Sequence, residues 1–182
     1  MDSQNLFFVT GISGVGKTYT IQHARQLQPD LGYVRASTLL QEVGRPIRNL
    51  SSEQMRENQI VLRDELVRHH LDHLGRLIFD GHATIETIDG PLAAWRELGS
   101  ELPVTGILMI AASLSDLVLR RKEKGKNDTI EDVAALQDFE EAESRAWAKA
   151  THARFAIIES GNVRSLLGIM DEFSGATRSG AR

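Results

Sequence analysis

The eight residues Gly11-Ile12-Ser13-Gly14-Val15-Gly16-Lys17-Thr18 fit the pattern G-x-x-x-x-G-K-[ST], and each residue type in it has a task in gripping a polyphosphate. Glycines let the backbone turn tightly enough that successive amide groups point at one phosphate, and the positive end of a following helix adds to the attraction. Lys17 is placed to reach the β- and γ-phosphates, and the Thr18 hydroxyl to ligate Mg²⁺. Gly11, Ser13, Gly14, Val15, Gly16, Lys17, Thr18 and the adjoining Tyr19 are therefore the candidate ATP-binding residues.

Such a loop serves kinases, G proteins and ATP-driven machines alike, so other residues must discriminate. Leu77-Ile78-Phe79-Asp80 is an apolar run ending in a carboxylate, which makes Asp80 the second candidate metal residue beside Thr18. An ATP-driven machine usually carries a glutamate next, to align water; here Gly81 follows. A G protein needs N-K-x-D, whereas Lys126-Asn127-Asp128 has the wrong order and no D-x-x-G follows the apolar run. These residues read as a kinase, which keeps water from the γ-phosphate and delivers it to another acceptor. His82 follows at the end of the same run, where functional residues gather in α/β sheets. Residues 120–128, RRKEKGKND, are dense in cations, and Gly125 breaks their helical period. The expectation is a mobile segment facing the phosphates.

These residues need a scaffold, and the hydropathy pattern supplies one. Short apolar runs over 6–10, 32–36, 77–80, 104–110 and 154–158 predict strands, alternating with helical periods over 17–27, 37–43, 52–74, 92–98, 115–124, 129–150 and 165–173. Alternation of this kind belongs to an α/β fold with a parallel sheet. The segment 37–75 is longer than one crossover helix requires, so it is expected to do more than close the sheet. At 182 residues the chain is expected to form one domain over 1–175, with a disordered tail at 176–182.

Composition excludes several classes. A net charge of −4 argues against a general nucleic-acid binder. The chain has no cysteine, hence no disulfide or thiolate metal site. No apolar run approaches the roughly 18 residues of a membrane span, and the opening MDSQNLFFVTGISG lacks a basic stretch before a long apolar one. A cytoplasmic location is the expectation.

Several residues have plainer readings. His69 and His73 have the spacing of two zinc ligands but no acidic partner, and read as a solvated helix end. Trp95 and Trp147 read as core or interface aromatics. The carboxylates of 131–143 read as the outer face of an amphipathic helix, and Arg45 and Arg56 as solvated.

VTGISGVGKT, then IRNLSSEQMRENQ, FDGHATIET, LRR and finally FAIIES followed by Gly161-Asn162 occur in that order. With them the chain resembles the adenylate-kinase-like nucleoside monophosphate kinases, in particular the archaeal-type adenylate kinases. The resemblance implies a P-loop NTPase fold, three-layer α/β/α, with a five-stranded parallel sheet of order 2-3-1-4-5. It also implies an acceptor-binding insertion at 37–75 and a short lid at 120–128. Carried over by residue, it implies that Arg48 holds an acceptor phosphate, Gln59 reads the acceptor base, Thr38 lies near the acceptor nucleoside, and His82 faces the junction of the two substrates. Asp80 would organise the Mg²⁺ shell. Arg120 and Arg121 would open the lid and bear on the transferring phosphoryl group, Arg120 also touching ATP, so that Lys17, Asp80, Arg120 and Arg121 form the catalytic set. The lid is shorter than the archaeal pattern and lacks its second lid arginine, leaving Lys124 and Lys126 to supply charge. The expected partners are ATP and a small phosphate acceptor, a nucleoside monophosphate first. A small-metabolite kinase, with Asp80 as base for a hydroxyl acceptor, and a regulatory nucleotide-binding ATPase are the alternatives.

Overall fold

The computed structural model describes residues 5–72, 75–99 and 102–175, without the side chains of 69–72. In chain order the elements are β1 (Asn5–Thr10), α1 (Lys17–Leu27), β2 (Gly32–Arg35), α2 (Ala36–Glu42), α3 (Ser52–Asp72), β3 (Arg76–Asp80), β4 (Thr84–Thr87), β5 (Gly90–Ala93), α4 (Trp95–Leu98), β6 (Val104–Ala111), α5 (Leu114–Glu123), α6 (Ile130–Ala150), β7 (Arg154–Glu159) and α7 (Val163–Phe173).

The strands rich in apolar residues pair in parallel, in the order β2-β3-β1-β6-β7. Counting only the strands of this sheet, that is the order 2-3-1-4-5 that the resemblance implies. The central strand β1 is buried along its whole length after Asn5, as a parallel strand covered on both faces must be. Its alternation feeds two cores. Phe7 and Val9 pack with Ile21, Ile78, Leu108 and Leu166, while Leu6 and Phe8 pack with Leu62, Leu66, Phe79 and Trp147. Phe8 meets the Trp147 ring edge-on at 4.3 Å and the Phe79 ring at 4.9 Å. The result is an α/β/α sandwich whose strand ends carry the loops of interest.

Two local expectations change. Residues 92–98 do not form one helix: Gly90–Ala93 pairs antiparallel with Thr84–Thr87, and only Trp95–Leu98 is helical. Asp89-Gly90 between alternating residues is a hairpin signal, and it outweighs the helical period that follows it. The carboxylates of α6 are not all on an outer face, since Glu140 is completely buried and Glu143 accepts the Trp95 indole N–H at 2.7 Å. Trp147 is a core residue stacked on Trp95 at 6.2 Å. A capping box between Thr129 and Asp132 starts α6 directly after the cationic segment. The paired histidine side chains of the α3 end and the tail 176–182 lie outside the described residues.

Candidate active site

The phosphate loop leaves β1 at the sheet's C-terminal edge and enters α1 at Lys17. Two glycines are required by geometry. Gly11 has φ 137°, and a Cβ there would lie 2.6 Å from the Ile110 carbonyl oxygen. Gly16 has φ 100°, and its Cβ would lie 2.5 Å from Ser160 Oγ. A side chain at either position would meet both strain and collision. The free N–H groups of the first turn of α1 thus face the concavity of the loop, where an anion is favoured.

Charge gathers around that concavity. Lys17 is 7% exposed, and its Nζ donates to the Gly11 carbonyl at 2.5 Å and lies 3.4 Å from His82 Nδ1. Burial brings its pKa down to about 8, against the opposing pull of Asp80 and Glu140. His82 is held well below the usual histidine range, by burial first and then by Lys17, so its imidazole is neutral. Asp80, buried at the end of β3, accepts from Thr18 Oγ1 at 3.2 Å and from the Tyr33 hydroxyl at 3.0 Å. Burial and Asp80 together raise the Tyr33 phenol, which stays protonated. Arg35 Nε stands 4.0 Å from the same carboxylate.

Two cavities meet here. A cavity of about 280 Å³ is lined by the loop from Ile12 to Tyr19 and by Asp80. A larger one, about 850 Å³, is bounded by Arg48, Met55, Thr84, Glu86 and Lys126 among others. Ile12, Ser13, Arg35, His82 and Lys124 line both.

The structure therefore brings together most of the residues singled out from the sequence. Ser13, Gly14, Val15, Gly16, Lys17, Thr18, Tyr19 and Asp80 line the smaller cavity, and Arg48 and His82 the larger. Five others stand apart from the cavity walls, the first being Gly11, which opens the loop but lines neither cavity. Thr38 is exposed on α2 and lines neither cavity. Gln59 is buried behind the wall, its Nε2 3.5 Å from Met55 Sδ. Arg120 approaches the loop from outside, donating to the Val15 carbonyl at 3.2 Å and to Ser160 Oγ at 3.3 Å. Arg121 is 1% exposed and donates to Ser13 O, Asp128 and Glu86. Arg45, read as solvated, is half-buried and bonds Asn58 and Glu57.

Three residues at the site were not singled out from the sequence. Tyr33 and Arg35 lie on the edge strand β2, whose sequence carries no motif. Glu140 was legible in principle: Val133, Gln137, Glu140, Ser144 and Trp147 repeat at spacings of four and three, a stripe that faces one way on a helix, and its ends are apolar.

The family described as AAA domain matches residues 10–137, more than half of the chain. The chain belongs to that family. No curated protein matches this AAA domain. Among solved structures it is similar to a tunicamycin resistance protein from Deinococcus radiodurans, at TM-score 0.60 and 14% identity over 98% of this chain and 100% of the other. It is similar to the shikimate kinase from Acinetobacter baumannii solved with shikimate, at TM-score 0.63 and 13% identity over 98% and 97% of the two chains. A gluconokinase from Sinorhizobium meliloti 1021 aligns at TM-score 0.55 and 12% identity over 95% of each. At these identities the likeness establishes the fold alone, a five-stranded parallel sheet between layers of helices. Among the described residues of this AAA domain, no helix is long and apolar enough to cross a membrane.

Proposed function

We propose that this protein is an ATP-dependent phosphotransferase that moves the γ-phosphoryl group of Mg-ATP to a small anionic acceptor, a nucleoside monophosphate. The observation that carries the reading is the junction of the two cavities at Arg35, His82 and Lys124. ATP seated on the loop would direct its terminal phosphate toward that junction, and an acceptor in the larger cavity would face it.

The donor set suits Mg²⁺. Thr18 and Asp80 supply one hydroxyl and one carboxylate beside the loop, and among the described residues no group of three metal-binding side chains exists. Such a sparse oxygen set is how magnesium is usually held when substrate phosphates and water complete its shell. The ion, when bound, would neutralise phosphate charge. Lys17 and the loop amides bind the phosphates, while Arg35 and Lys124 place positive charge where negative charge develops during transfer. Gly81 stands where a water-aligning glutamate would be, which supports transfer over hydrolysis.

The acceptor chemistry follows from the carboxylates. Asp80 already accepts from Thr18 and Tyr33, and Glu86 is bonded to Arg121 and Lys126. A phosphate acceptor is already a nucleophile and needs no base, and Arg48 on the cavity wall is suited to grip its oxygens. The second reading, a kinase acting on a hydroxyl, has Asp80 as its base, a carboxylate at the end of β3 beside the phosphate loop.

The test is ADP release from Mg-ATP by the purified protein, alone and with each of AMP, CMP, UMP, GMP, dTMP and a set of polyol and hydroxy-acid acceptors. Stimulation by one monophosphate, with its diphosphate formed, is expected. Stimulation by a hydroxyl acceptor alone selects the second reading, and stimulation by none overturns both.

A further inference from the structure

Glu140 lies on α6, is 0% exposed, and lines neither cavity. A buried carboxylate is costly unless its oxygens are satisfied, and this one takes donors from two separate segments. Its Oε1 accepts the Gly11 N–H at 2.7 Å and the Ala83 N–H at 2.9 Å. Its Oε2 accepts the Thr84 N–H at 2.8 Å and the Thr84 hydroxyl. Gly11 opens the phosphate loop, and its carbonyl in turn receives Lys17 Nζ, so both backbone groups of Gly11 are held. Ala83 and Thr84 follow His82 immediately, and Thr84 lines the larger cavity. The helix beneath is pinned to the sheet on both sides of Glu140. Gln137 accepts the Ala112 N–H at 3.2 Å, and Ser144 hydrogen-bonds Thr10 Oγ1 at 2.9 Å.

We infer that Glu140 is a positioning residue that holds the phosphate loop and the His82 turn in a fixed relation, so that the two cavities keep the spacing transfer requires. Beside the Lys17 ammonium, which bonds the Gly11 carbonyl and lies 3.4 Å from His82 Nδ1, this carboxylate ties the first glycine of the loop to the turn that carries His82 through backbone N–H groups on both sides. Four donors satisfy it, as a fixed anchor requires. For its kinetic consequence the inference rests on the phosphotransferase reading; its binding consequence does not.

Glu140→Gln tests it. The amide keeps the shape but places an N–H₂ group against hydrogen-bond donors, those of Gly11 and Ala83 in one orientation and those of Thr84 in the other. In the folded variant we expect Mg-ATP affinity to fall about 10-fold and kcat at saturating substrates to fall about 100-fold, in the range that supporting residues around a site command. The KM of the acceptor should stay within about threefold, because Arg48 and the far wall are untouched. The Gly11, Ala83 and Thr84 amides should lose hydrogen-exchange protection together while neighbouring β1 and β3 amides keep theirs. A purely structural role would lower thermal stability and leave kcat per folded molecule unchanged. Should Glu140→Gln not fold, Glu140→Asp keeps the charge but is shorter by one methylene, and carries the same expectations. A wild-type protein that binds Mg-ATP but phosphorylates no acceptor refutes the phosphotransferase reading, and the inference is then decided by affinity and exchange alone. Unchanged Mg-ATP affinity and unlinked amide exchange in the folded variant would overturn it in every case.

Discussion

The Arg121 guanidinium grips Glu86 through three contacts of 3.1, 3.1 and 3.2 Å while its Nε donates to Asp128 at 2.7 Å. The hairpin, the end of α5 and the start of α6 are thereby joined, and Arg121 also reaches the Ser13 carbonyl of the phosphate loop. This residue anchors the site from behind, with its charge already matched by two carboxylates. Removing it would take from Asp128 its Arg121 partner and leave Glu86 with Lys126 alone. We expect Arg121→Met to cost about 2 kcal/mol of stability, below the scale for breaking a fully buried ion pair because Glu86 is 40% exposed, read by urea unfolding. A loss below 1 kcal/mol, on that same scale, would contradict the anchoring role.

Lys17 presents the opposite case, a buried cation whose neighbours do not fully offset its desolvation. Lys17→Ala should lower phosphoryl transfer by about 100-fold or more, the scale for removing one preorganised charge contact. The fold should persist, because the mutation removes an unfavourably buried charge. Wild-type transfer by the variant would sink the assignment of this loop.

The same lysine gives a pH dependence. Its pKa is about 8 in the folded protein against an ordinary 10.5. A phosphate ligand favours the ammonium form, so Mg-ATP affinity should decline as pH rises above about 8, approaching tenfold per unit. Folding stability should move the other way, rising with pH between about 8 and 10.5, where the unfolded chain holds a proton that the folded chain has lost. Calorimetric titration from pH 7 to 10, paired with urea unfolding, checks both; affinity that stays flat across the range would contradict the assignment of Lys17 as the phosphate contact.

Gly16→Ala should abolish tight nucleotide binding. Its Cβ would sit 2.5 Å from Ser160 Oγ at a φ of 100°, and the conformational penalty alone is about 1–2 kcal/mol. Retained Mg-ATP affinity in the folded variant, measured by calorimetry, would show that the loop can relax and that its present shape is not required.

How much of this was legible in the sequence depends on whether the signal is local. The phosphate loop is a contiguous motif, and Asp80 ends a contiguous apolar run, so both were readable, as were the five strands of the sheet. Residues whose roles arise from contacts between distant segments were not. Glu140 looks like one more surface acid until α6 is laid under residues from Gly11 to Thr84. Arg121 looks like a free lid cation until the hairpin brings Glu86 beside it. The hairpin itself was announced by Asp89-Gly90 but hidden by the helical spacing of the leucines and tryptophan after it. Gln59 has the type and position expected of a base-reading residue, yet its side chain lies behind Met55, a matter of one rotation along α3 that sequence spacing does not resolve.

The most direct test of the central claim follows the γ-phosphoryl group itself, with γ-labelled Mg-ATP, the purified protein and each candidate monophosphate. We expect the label to appear in one nucleoside diphosphate, faster than in inorganic phosphate. Label found only in inorganic phosphate, at a rate no acceptor changes, would contradict the account and identify a hydrolase in its place.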